Sequence, residues 1–182
     1  MRFGYLMSEE RGAASLVLAE TATLLSAQGL RLAGAVQFSA ADPDGHPCDG
    51  DLKVLPDGPV LQLSQPLGQG ARGCRMDAGA VETAAAEAAR HLGGAALLIV
   101  NKFGKLEAGG HGFVPLIAEA LERDIPVLVG VNGRNRSAFE SFAAGLAEPV
   151  LAETGAVLAW LGYAPAIASA NVPNTPRARA SA

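Results

Sequence analysis

Apolar and polar positions alternate in blocks along the chain, and the period changes from block to block. Residues 2–7, RFGYLM, form a short apolar run that predicts a buried strand, and SEERGAAS at 8–15 is a polar turn. From 13 to 28, Ala14, Leu18, Ala22 and Leu25 recur at steps of three and four, which predicts a helix, and Gly29 stands at its capping position. RLAGAVQFS at 31–39 returns to a strand pattern. Strand, turn, helix, strand is the opening of a parallel α/β sheet, because parallel neighbours need a crossover between them.

The next stretch breaks that rhythm. AADPDGHPCDG at 40–50 is rich in turn formers and predicts a loop. DLKVL (51–55) and PVLQLS (59–64) flank the turn tripeptide PDG and predict a β-hairpin. QPLGQGARGCRM at 65–76 is a second glycine-rich loop. Asp77 is placed to cap a helix whose apolar stripe is Val81, Ala84, Ala85, Ala88 and Leu92. A strand is then expected at 95–100, followed by a loop at 101–112. Next come a helix through Phe113, Leu116, Ile117, Ala120 and Leu121, and a strand at 125–131. Ser137 and Glu140 have capping-box spacing ahead of Phe142. EPVLAE (148–153) reads as an edge strand and TGAVLAWLGY (154–163) as a closing helix carrying Trp160 and Tyr163.

Composition narrows the class. The 182 residues include 22 glycines and few aromatics, which suits close packing of helices on a sheet. Residues 1–163 are read as a single α/β domain, and residues 164–182 as a disordered tail with too few apolar side chains to bury. The formal net charge of -4 argues against nucleic acid as a partner. No run approaches the ~18 apolar residues of a membrane span, and the first residues are too short an apolar run for a signal peptide. The chain is therefore read as cytoplasmic. Cys48 and Cys74 imply no disulfide framework.

Candidate chemistry gathers in the loops expected at the carboxyl ends of the strands, where open α/β sheets bind ligands. SEERGAAS can be laid on the phosphate-binding pattern G-x-x-x-x-G-K-[ST], with Gly12 near the second glycine's place. Ala14 then takes the lysine position and Ser15 the hydroxyl position. Glu9 and Glu10 would repel a triphosphate there. After the central strand stand Asn101 and Lys102, with Lys105 and Glu107 nearby; Asn101 lacks the anionic oxygen a hard cation prefers. In GQGARGCRMD (68–77), glycines free backbone N–H groups to turn toward a ligand, and Arg72 and Arg75 add charged donors. Together these loops read as a cradle for a small anion. Cys48, Cys74 and His46 form a weak soft-metal candidate, since their spacing is not that of a zinc finger or ribbon.

The segments ARGCRMD, LLIVNKFGKLEAGGHGF and ALERDIPVLVGV resemble an uncharacterised bacterial family of P-loop nucleoside-triphosphatase-like proteins that have lost the phosphate loop. Some of its members are labelled molybdenum-import ATPase-like. The resemblance covers about residues 3–162 and is sharpest at Gly73–Asp77 and Asn101–Glu107. A wider similarity is to the thermophile-type nucleoside triphosphatases, which carry acids where Asn101 and Lys102 stand and a lysine where Ala14 stands. The implied fold is a three-layer, P-loop-like, mostly parallel sheet with helices on both faces and an inserted β-hairpin. The implied function is binding of molybdate or another oxyanion, or of a nucleotide, with a link to molybdenum handling. From the residues themselves, the two glycine- and cation-bearing loops give the expected binding set: Arg72, Gly73, Cys74 and Arg75 on one side, Asn101, Lys102, Lys105 and Glu107 across the cleft, and Ser15 adding a hydroxyl. A nucleoside triphosphatase with an atypical site and a non-catalytic scaffold for a protein partner are the alternatives. Self-association is left open.

Overall fold

The computed structural model describes residues 1–10, 12–38, 50–63 and 76–163. Seven strands form one sheet in the order β4-β3-β2-β5-β6-β1-β7. They are β1 (Phe3–Leu6), β2 (Leu32–Gln37), β3 (Asp51–Val54), β4 (Val60–Gln62), β5 (Leu97–Phe103), β6 (Val127–Val131) and β7 (Glu148–Val150). The pairs β2–β5, β5–β6, β6–β1 and β1–β7 are parallel, whereas β2–β3 and β3–β4 are antiparallel, the β3–β4 hairpin being added at one edge through β2. The helices are α1 (Ala13–Ala27), α2 (Ala78–Ala89), α3 (Lys105–Ala108), α4 (Val114–Glu122), α5 (Arg136–Ala143) and α6 (Thr154–Leu161).

Strand alternation distributes the core between two faces. On one, Leu32 and Val36 of β2, Ile99 of β5 and Leu128 of β6 meet Leu18, Ala22 and Leu25 of α1 and Val157 of α6. On the other, Ala33, Ala35, Val100 and Val129 meet helices α2, α4 and α5. The second face is tightly spaced because α2 presents Ala84, Ala85 and Ala88 to it. Phe103, Phe139 and Phe142 fill its far end in edge-on and tilted contacts. The expected apolar stripes of α1, α2 and α4 are therefore the buried ones. Trp160 packs with the core of the α1 face, lies against Gly4, and donates from Nε1 to the Glu148 carboxylate at 2.5 Å.

Two expectations need correction. Residues 101–103 are not loop: β5 continues through Phe103, and a four-residue helix, α3, follows one residue later. The extension is possible because β5 carries an extra residue against β6. Val100 pairs with Val129 and Phe103 with Val131, so three steps on β5 match two on β6. The bulge turns Phe103 to the same face as Val100. Gly130 sits beside it, where any Cβ would collide with the Asn101 carbonyl. The second correction concerns α5. Its start is set by Asn132, whose side chain accepts from the Asn135 N–H at 3.0 Å and opens a 3-10 turn, Gly133–Asn135. Ser137 is already inside the helix, and Glu140 pairs with Arg136 at 2.7 Å rather than closing a capping box.

Candidate functional site

The connections leaving β2 and β5 diverge. Beyond β2 the chain returns as the edge hairpin, whereas β5 leads into α3 and α4 on its other side. A crevice outside the carboxyl ends of two such neighbours is where open α/β sheets take ligands. A cavity of about 80 Å³ lies there. Its walls are Leu52, Leu63, Met76, Val81 and Phe113. Its polar end is made by Gln37, Asn101, Lys102 and Glu107, with Gly104 beside them.

Asn101 is 6% exposed and spent on the sheet. Its Oδ1 accepts from the Gln37 N–H at 3.2 Å, and its Nδ2 donates to the Gln37 side-chain oxygen at 3.5 Å. The two amides close the carboxyl ends of β2 and β5 at the cavity. Lys102 is exposed at the cavity mouth and has no ion-pair partner among the described residues. Lys105, the first residue of α3, is exposed and outside the lining.

Glu107 is 4% exposed and organises the turn beneath the cavity. Its Oε2 accepts from the Gly104 N–H at 2.9 Å, and its Oε1 from the Phe113 N–H at 3.4 Å. One carboxylate thus holds the starts of α3 and α4 together. Gly112 is required beside it: its φ is +61, and a Cβ there would strike Glu107 Oε1. The Gly112 N–H donates across to Glu82 of α2 at 2.9 Å. Burial pushes the Glu107 carboxyl above its ordinary value; the backbone donors of Gly104, Glu107 and Phe113 work the other way, and the Glu82 carboxylate adds a smaller rise.

Of the sequence-predicted residues, Asn101, Lys102 and Glu107 meet at this cavity. Ser15 does not join them: it is the third residue of α1, which packs on the opposite face. The loop before α1 has Glu9 and Glu10 exposed, and Gly12 with φ 85 caps the helix without a side-chain bond. Arg72, Gly73, Cys74, Arg75, Cys48 and His46 lie outside the described residues. Among the described residues, no three His, Cys, Asp or Glu side chains group to hold a metal. No described helix is long and apolar enough to cross a membrane. Gln37, the apolar walls Leu52, Leu63, Met76, Val81 and Phe113, and Gly104 were not expected at the site. Only Gln37 carried a signal, as a polar residue closing the otherwise apolar run LAGAV.

Sheet order, crossovers and crevice define a P-loop nucleoside-triphosphatase-like α/β fold. The solution structure of a human cancer-related nucleoside triphosphatase superposes with a TM-score of 0.53 at 16% identity, over 82% of this chain and 87% of that one. The chain belongs to the family described as protein of unknown function (DUF2478), which matches residues 4–160. It is also 34% identical over 145 residues to the molybdenum import ATP-binding protein ModC 2 of Bradyrhizobium diazoefficiens. That match takes in 79% of this chain and 16% of the relative's length.

Proposed function

We propose that the chain is a P-loop-like binding protein that holds a small anion or nucleotide-like ligand without hydrolysing it. The observation that carries this is Lys102, a cation free of ion pairs among the described residues, at the mouth of a cavity in the β2–β5 crevice. Catalysis of phosphoryl transfer needs a metal and a cation positioned on the transferring group. Asn101 supplies no anionic oxygen and is engaged with Gln37, and the position of the phosphate-loop lysine is Ala14. Glu107, the acid at this site, is committed to backbone N–H groups.

Arg72, Gly73, Cys74 and Arg75 belong to the same proposal. The segment that bears them departs from Leu63 and returns at Met76, both cavity residues, and the Asp77 N–H donates to the Leu63 carbonyl at 2.8 Å. The molybdenum-import name of the relative supports a role beside molybdenum handling. Calorimetric titration with molybdate, phosphate, AMP and ATP, paired with phosphate release from magnesium–ATP, tests the reading. Binding of at least one ligand, weakened in Lys102→Ala and Arg75→Ala, with no enzyme-like phosphate release, is expected. Magnesium-dependent turnover lost in Glu107→Gln would replace it with the enzyme reading.

A further inference from the structure

The cavity and its mouth differ in chemistry, and the difference selects among the ligands left open above. The inside is apolar on most sides: Leu52 and Val81 are buried, Phe113 closes the end, and Leu63 and Met76 form the partly exposed rim. Among the described residues, the polar side chains lining it are Gln37, Asn101, Lys102 and Glu107. A tetrahedral dianion placed inside would shed its water against hydrocarbon and face the Glu107 carboxyl, with Lys102 as its counter-charge among the described residues. Burial of an incompletely paired ion is among the costliest changes a site can impose. A flat, uncharged ring meets the opposite balance. Its faces bury against Leu, Val, Met and Phe.

Resting on the reading of this crevice as a ligand site, we infer that the cavity takes the planar ring of its ligand, and that Lys102 at the mouth takes a single anionic group attached to it. The ligand class is a heteroaromatic body with one charged substituent, for which nucleoside monophosphates are suitable probes.

The test is a calorimetric titration of the full chain with AMP, GMP, CMP and UMP, with ribose 5-phosphate as an anion lacking the ring, with adenosine as a ring lacking the anion, and with molybdate. At least one monophosphate is expected to bind more tightly than ribose 5-phosphate or molybdate by about tenfold or more. Lys102→Ala should weaken the monophosphate by about tenfold and leave adenosine unchanged. Leu63→Trp, which grows a half-buried wall into the cavity, should abolish binding of both ring compounds; Met76→Trp is the second variant, and thermal melts verify that each stays folded. Molybdate or ribose 5-phosphate binding as tightly as every monophosphate, and surviving both tryptophan variants, overturns the ring assignment while leaving an anion site at Lys102. Absence of binding by every compound overturns the site itself.

Discussion

Glu107 shows how one side chain can couple structure to pH. Its carboxyl is held above the ordinary glutamate value chiefly by burial. A raised value in the folded chain means the proton is bound more tightly there than in the unfolded chain. The group's contribution to stability is therefore full below the unfolded value and is lost as pH rises through the folded one. Stability should fall with pH in the window that opens at the ordinary glutamate value and runs upward. Glu107→Gln removes this slope. It also leaves one of the Gly104 and Phe113 N–H groups without its acceptor, a cost of about 1–3 kcal/mol. Urea melts of both proteins from about pH 4 to about pH 8 should show a less stable but flatter variant. A variant curve parallel to the parent would show that Glu107 does not titrate in that range. The chemical identity of Asn101, Lys102 and Glu107 was readable from the residues, but their exposure was not. NKFG looks like a polar turn, and nothing local says that Asn101 is buried against Gln37 from a strand 64 positions away.

Among the elements, α2 is the one whose placement shapes the cavity, since Val81 on its first turns is a wall residue. Its start is fixed by Asp77, which accepts from the N–H groups of Gly79 at 2.8 Å and Ala80 at 3.2 Å. Asp77→Ala should cost about 1 kcal/mol of stability in a denaturant melt, and Asp77→Asn should recover most of it. A loss in both variants alike would mean that the charge of Asp77, not its capping geometry, matters. This cap was legible in the sequence, as were the stripes of α1, α2 and α4, because period and capping residue agree there. The start of α5 was not, because Asn132 begins a turn before the residues whose spacing imitates a capping box. Helix α3 escaped for a different reason: four residues are too few to show a period, and a distant helix start, Phe113, helps to hold it through Glu107.

For the whole molecule, the mostly parallel sheet with helices on both faces was legible from alternating strand and helix blocks. The strand order was not. It depends on long-range pairing, such as β1 inserting between β6 and β7, which no local period encodes. That order separates two regions that look equivalent in sequence. The loop after β1 leads to α1 on one face, while the cavity opens on the α2 face beyond β2 and β5. A residual phosphate-loop site and the crevice site can thus be told apart by position. Backbone amide NMR shifts of the full chain during titration with AMP separate them most directly. The largest changes are expected at Gln37, Lys102, Gly104 and Val81, with Gly12 to Leu16 unmoved. Changes centred on Gly12 to Leu16, with Lys102 and Gly104 silent, would contradict a ligand site at the β2–β5 crevice.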